Sequence, residues 1–345
     1  MFISSRMYKK YIYIVSKNIR ITHLDGKIPN LALMKLSHWH KSKGDKVFFT
    51  KRTTLDLFEP EYDRVYGSSI FTFSEKKQQR FLKNFPNAII GGTGFKNNIT
   101  IEQIIGRSTY ENYDYEIYPD FEHSIGFSQR GCRLKCKFCV VGKKEGKNVH
   151  SNWIDEIYRG DPYPKNLLLL DNDFFGQPDW EIKANQIIDG NYKVSFNQGI
   201  NIRLIDDRAA ETLPKIKYYD AKFKTRRLYT AWDNLGDEKI FTKGAEKLAK
   251  NGIPMGHLMV YMLIGFKKNE TWDDIFHRFN TLIDLGCMPY PMVYNNNSTE
   301  LKKFQRWVIM RHYQFIPWDE YSKLNRNKFY KKNDNQMTIY DEDTT

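Results

Sequence analysis

Cysteine is scarce in this chain, with four among 345 residues. That excludes a disulfide framework as the source of stability, and a chain of this length buries a sizeable core without one. Long apolar runs are missing as well. No stretch approaches the roughly 18 consecutive apolar residues that a membrane helix needs, so no membrane partner is expected. The segment 11–15 (YIYIV) follows Lys9 and Lys10, but no small-residue cleavage site comes after it. It reads as a buried strand rather than a secretion signal, and a cytoplasmic location is expected. Repeats at periods of 20–50 residues are absent, which excludes solenoids and propellers. Acidic residues are outnumbered, 41 against 54 Lys and Arg, for a net charge of +13. Such a surplus suits a nucleic acid or another anionic partner. Coding bias accounts for it equally well, because Lys, Asn, Ile and Tyr are abundant together.

What the chain does have is alternation. Short apolar runs at 11–15, 47–50, 64–71 and 88–91 read as strands, and 29–44 and 74–85 as helices, opened by Pro29 and Ser74. Strands alternating with helices imply a parallel sheet, here an N-terminal Rossmann-like domain over 1–110. A second series follows. Runs near 123–128, 166–173, 193–200, 226–233, 259–266 and 291–296 alternate with helical stretches at 177–190, 206–215, 236–251 and 271–286. The expected fold class is therefore α/β throughout, with a (βα)6 partial TIM barrel over 111–298. A helical extension, predicted at 299–313, and a frayed acidic tail complete the chain over 299–345. Polar residues gather where the barrel strands end: Asp171, Asp173, Asn197, Gln198, Asp233, Asn234 and Asn295. In parallel α/β folds that face carries the active site.

Three of the four cysteines fall within eight residues: Cys132, Cys136 and Cys139. Clustered thiols in a reducing compartment are metal ligands or redox groups more often than disulfide partners. Thiolates hold iron–sulfur clusters, and three of them leave one corner of a cubane open. Arg130, Arg133, Lys135 and Lys137 favour the thiolate forms. A zinc site would need a fourth ligand, for which His150 is the nearby candidate. Three unrelated buried thiols are the remaining reading. Cys287 stands alone and reads as a buried thiol.

Cys-x3-Cys-x2-Cys, with Phe138 before the last Cys, resembles the signature of the radical S-adenosylmethionine (SAM) superfamily. The resemblance implies a [4Fe–4S] cluster on Cys132, Cys136 and Cys139, with SAM on the open iron. Reductive cleavage then yields a 5′-deoxyadenosyl radical. It also implies a reductant such as flavodoxin or ferredoxin. In that family the second barrel strand ends in a motif that contacts the SAM amino group. Here that position carries Asp171 and Asp173, in place of the family's glycines and glutamate. Arg203 would pair with the SAM carboxylate, and Asn197 and Gln198 would reach the ribose or the substrate. Ile264 and Gly265, followed by Glu270, resemble the family's adenine motif with Tyr261 replacing its first glycine. Trp232 either stacks on adenine or packs in the core.

The N-terminal domain resembles, weakly, the cobalamin-binding domain of one branch of that superfamily. The likeness lies in Pro29–Leu33, Gly44–Val47 and Ile89–Gly92. Its Asp-x-His-x-x-Gly ligand motif is missing, so a degenerate domain without cobalamin is expected. The competing account of the whole is a binding module, in which a metal-stapled basic loop grips nucleic acid. The loop 129–149 holds seven Lys or Arg and one acid, Glu145. Polar residues at successive strand ends favour the enzyme. No residue announces the substrate.

Overall fold

A computed structural model describes residues 16–96, 99–106, 111–147, 149–294 and 298–324. The strand expected at 11–15, Asn295 and the acidic tail lie outside these residues. The chain divides into two compact units, Met1–Glu122 and His123–Thr345. Both are α/β, built on parallel strands.

The first unit runs β1 (Asn18–His23), α1 (Leu31–Lys41), β2 (Lys46–Thr50), β3 (Arg64–Ser68), α2 (Glu75–Asn84), β4 (Ile89–Gly91) and α3 (Ile101–Ile105). Its sheet has the order β2-β1-β3-β4, every pair parallel. Asn30 caps α1 by accepting from Leu33 N at 3.2 Å. β3 stops earlier than the apolar run suggests, because the Asp25 carboxylate takes Ile70 N at 2.6 Å and Phe71 N at 3.1 Å. The Gly92–Gly94 turn lies directly on that segment. A Cβ at Gly92 would sit 2.2 Å from Ser69 O, and one at Gly94 2.5 Å from the Phe71 backbone. These glycines serve a close backbone crossing within the unit. The unit extends past the expected boundary at 110. Asp114 N donates to Met34 O at 3.1 Å, and Asp114 Oδ2 accepts from Ser37 Oγ at 2.5 Å.

The second unit begins with β5 (Ser124–Gly126), the short ribbon β6 (Gln129–Arg130), α4 (Val141–Lys144), β7 (Val149–His150) and α5 (Ile154–Ile157). Then come β8 (Asn166–Leu169), α6 (Trp180–Asp189), β9 (Lys193–Phe196), α7 (Asp207–Thr212), β10 (Lys217–Tyr218) and β11 (Leu228–Ala231). It ends with α8 (Glu238–Lys250), β12 (Leu258–Ile264), α9 (Trp272–Asp284), β13 (Met288–Val293), α10 (Thr299–Ile309) and α11 (Trp318–Tyr321). Two parallel sheets result, β10-β9-β8-β5 and β11-β12-β13. Ile200 N donates to Tyr229 O at 2.7 Å, so the segment after β9 runs alongside β11. β12 alternates buried and half-buried residues along its whole length. Leu258, Val260, Met262 and Ile264 enter the main core with Phe241, Leu248, Phe279 and Phe304. Cys287 is buried in the same core, where desolvation pushes its thiol up to about 11. No helix among the described residues is long and apolar enough to cross a membrane.

Candidate functional site: the cysteine loop

β5 leads into β6, and β6 pairs antiparallel with β7. The loop between them carries Cys132, Cys136 and Cys139. Gly131 opens it at φ +83°, and a Cβ there would stand 2.2 Å from Lys147 O. Only glycine lets the two ends of the loop cross so closely. Cys132 N donates to Gly146 O at 3.3 Å, and Cys139 N to Cys136 O at 3.0 Å.

All three thiols are free and partly exposed. Leu134 N donates to Cys132 Sγ at 3.4 Å. Burial pushes the Cys132 thiol up, and negative charge on Asp173, Cys136 and Cys139 pushes the same way. Among the described residues, no group of three or more His, Cys, Asp or Glu side chains converges as a metal-binding set. His150 is engaged with Asp179, Nδ1 to Oδ2 at 2.9 Å.

The three residues that follow Leu170 at the end of β8 fasten the start of β6 and the loop after it at three places. Asp171 accepts from Ser128 N at 2.7 Å, Gln129 N at 3.4 Å and the Ser128 hydroxyl. Asn172 Nδ2 donates to Glu145 Oε2 at 3.0 Å, and the same oxygen accepts from Gly131 N at 3.1 Å. Asp173 takes the Arg133 guanidinium through two bonds, Nε at 2.7 Å and Nη2 at 3.0 Å, and the Arg133 backbone N at 3.3 Å. Asp171 and Asp173 are both buried. The structure thus occupies both carboxylates with the cysteine loop, where the sequence suggested a SAM contact. Asp173 stands at the N-cap of the 3-10 turn Phe174–Gly176, but its side chain makes no capping bond there.

Burial raises the Asp171 carboxyl to about 6, against the opposing pull of its hydrogen bonds and of Lys183. Lys183 projects from α6 and is wholly buried. Its Nζ donates to Ser128 O at 2.5 Å and to Gln177 Oε1 at 2.7 Å. Desolvation lowers its pKa, against the pull of Asp179 and Asp171.

Arg203 sits in a 3-10 turn, Ile202–Leu204, after β9. Its Nη1 donates to Asp237 Oδ2 at 2.8 Å, and its Nη2 approaches Cys136 Sγ at 4.0 Å. Asn197 is half-buried and Gln198 exposed beyond β9. Trp232 is fully buried and stacks on Phe241 at 5.1 Å, so its ring belongs to the core.

At the end of β12, the Ile264 side chain faces the core, and its carbonyl accepts from Tyr294 N at 2.9 Å. Gly265 N donates to Glu270 Oε2 at 2.6 Å. Glu270 also holds Arg278 at 2.5 Å. The Arg278 guanidinium reaches the carbonyls of Trp232 and Leu263 at 3.1 Å and Asp233 at 3.3 Å, joining the ends of β11 and β12. Phe138, the aromatic of the cysteine motif, packs on Phe266 at 5.4 Å, and Phe266 on Tyr294 at 4.8 Å.

Sequence reasoning passed over Lys183 and Arg278. The signal was present, because each is a cation set in an apolar helical stripe: Trp180, Lys183, Ala184, Ile187 and Ile275, Arg278, Phe279, Leu282. No protein-family model matches the chain, and no curated protein matches it.

Proposed function

We propose that the second unit is a radical SAM enzyme, with its parallel strands forming the partial (βα)6 barrel of that superfamily. Cys132, Cys136 and Cys139 would hold a [4Fe–4S] cluster. The observation that carries the reading is the setting of the Cys-x3-Cys-x2-Cys loop. It follows β5, the first strand of the parallel series, and all three polar residues ending β8 secure it. A loop fastened so closely suits a group that must be held in one place.

The donors suit the group by chemical type, while the structure does not draw three of them together as a set among the described residues. Iron–sulfur clusters take thiolates, and three free thiols lie on one short loop. Burial chiefly raises the Cys132 pKa, with negative charge on Asp173, Cys136 and Cys139 adding to it, and a cationic iron centre would favour the thiolate against both. Zinc suits the site less well, since a structural zinc takes four protein ligands and the loop carries three thiols. When bound, the cluster supplies the electron that cleaves SAM.

The chain's own residues have separate tasks in this reading. Asp171, Asn172 and Asp173 position the loop. Arg203 sets a positive charge beside the Cys136 sulfur. Asn197 and Gln198 stay accessible beyond β9 for SAM or substrate. Because Ile264 O and Gly265 N have partners within the protein, adenine would meet this strand end through other atoms or a second lone pair. The first unit is read as a cobalamin-like domain that lacks the histidine motif, with cobalamin not expected. The test is anaerobic incubation of the reconstituted, dithionite-reduced protein with SAM. The reading predicts 5′-deoxyadenosine and methionine by mass spectrometry. No 5′-deoxyadenosine above the level of a Cys132→Ala, Cys136→Ala, Cys139→Ala variant would refute it.

A further inference from the structure

The first unit holds an exposed aromatic pair that neither its core nor the site described above uses. Phe71 and Phe73 stack at 4.9 Å between ring centroids, 12° from parallel, with 41 % and 71 % of their surfaces open. Their backbone is fixed from beneath. Phe71 N donates to the buried Asp25 carboxylate at 3.1 Å. Gly94 N donates to Ser69 O at 3.0 Å, which closes the Gly92–Gly94 turn against the Phe71 backbone. Gln78 Nε2 ties the two together, donating to Ser69 Oγ at 2.8 Å and to Gly94 O at 3.0 Å. Two phenylalanines held open to water on an ordered backbone mark a contact surface.

The 3-10 turn Thr72–Ser74 runs straight into α2. Ser74, Gln78 and Phe81 are buried and define its inner side. Lys76, Lys77 and Arg80 follow Phe73 by three, four and seven residues, the spacing of one helix face, and Lys83 follows Arg80 by three. All four cations are exposed, and among the described residues none has a carboxylate within ion-pair distance. Glu75, the one acid of α2, accepts from Gln79 Nε2 at 3.3 Å. Lys76 and Lys83 stand about 10 Å apart along the axis at 1.5 Å per residue. We propose that Phe71, Phe73 and this basic face of α2 bind single-stranded nucleic acid, with the rings stacking on bases and the cations taking successive phosphates. Stacking on aromatic faces and phosphate contact are the two interactions that hold single strands without regard to sequence. A duplex keeps its base faces inside the stack, out of reach of the rings. An anionic membrane suits the surface less well. An interfacial helix buries a broad apolar face, whereas the exposed residues of α2 are all charged or amide. The proposal concerns the first unit and stands apart from the cluster reading.

The experiment uses the full chain and a fluorescein-labelled oligouridine of about twelve nucleotides. Oligothymidine and a duplex of the same length, and phosphatidylserine vesicles, form parallel arms. Fluorescence anisotropy reads the oligonucleotides, and sedimentation reads the vesicles. Single strands should bind at least about tenfold more tightly than the duplex, and the ratio of oligouridine to oligothymidine affinity tells RNA from DNA. Lys76→Gln/Arg80→Gln should weaken single-strand binding at least about tenfold. It should also flatten the slope of log affinity against log salt by about 1.4, the contribution of two phosphate contacts to a single strand. Phe71→Leu/Phe73→Leu keeps the apolar surface and removes the rings. It should weaken binding at least about fivefold with the salt slope unchanged, a split that a folding defect would not give. Circular dichroism should be unchanged in both variants, since every substituted side chain is exposed. No binding of either single strand, equal affinity for the duplex, or unchanged single-strand affinity in both variants would overturn the proposal. So would vesicle binding that survives Phe71→Leu/Phe73→Leu in a chain that ignores single strands.

Discussion

The Arg133 guanidinium and the Asp173 carboxylate meet through two parallel hydrogen bonds, at 2.7 and 3.0 Å, one residue after Cys132. The carboxylate is buried while a third of the Arg133 side chain remains exposed. This pair ties the first cysteine of the loop to the end of β8.

Asp173→Asn removes the charge on one side of that pair and leaves its shape. The expected cost is about 1.5–3 kcal/mol of unfolding free energy, the range for a hydrogen bond to a charged group. Urea unfolding of the metal-free protein measures it. Iron retention after reconstitution should drop in parallel. A variant with unchanged unfolding and full iron content would remove Asp173 from the role given to it.

Asp171 gives the stability a distinct pH dependence. Its folded carboxyl lies near 6, raised by burial from 3.8. Between these values the folded chain holds a proton that the unfolded chain has lost, so this group makes stability fall as pH rises from about 4 to about 6. A shift of about two units corresponds to roughly 3 kcal/mol. Asp171→Asn should abolish this slope. Denaturation of both proteins across pH 4–7 should therefore give a difference that changes through this window. A constant difference would contradict the assignment.

Arg278→Met leaves the largely covered Glu270 without its charged partner and withdraws a donor from three carbonyls at the ends of β11 and β12. Breaking a buried ion pair from one side costs about 3–5 kcal/mol. The urea midpoint should fall accordingly, and the double variant Glu270→Gln/Arg278→Met should recover part of the loss.

Gly131→Ala forces a Cβ into Lys147 O and a left-handed φ on an L-residue. Strain of about 1–3 kcal/mol is expected, confined to the loop. Cluster content should suffer more than the thermal midpoint of the unit, which circular dichroism and iron analysis separate.

Much of this arrangement was legible in the sequence. The parallel strands from β8 onward and the helices between them are marked by apolar runs and helix caps, and the cysteine spacing marks the loop. What escaped reading were positions where polarity hides burial. β1 carries Arg20 and Thr22 in the middle of a sheet, both fully buried. Arg20 is tolerated there because it pairs with Glu59 and donates to the carbonyls of Arg52 and Thr54. Hydropathy along 18–23 therefore gave no strand. β10 is two residues long and leaves no periodic trace. The Asp171–Asp173 segment was legible as functional, but its partners lie some forty residues earlier, at Ser128 and Arg133. Local spacing carries no information about such pairs.

The central claim is that the three thiols hold a cubane cluster, and iron and sulfide analysis tests it most directly. Anaerobically reconstituted protein should contain about four irons and four acid-labile sulfides per chain, with absorbance near 400 nm. Cys132→Ala, Cys136→Ala and Cys139→Ala should each abolish this content, while Cys287→Ala keeps it. Stoichiometric zinc with no labile sulfide would contradict the account.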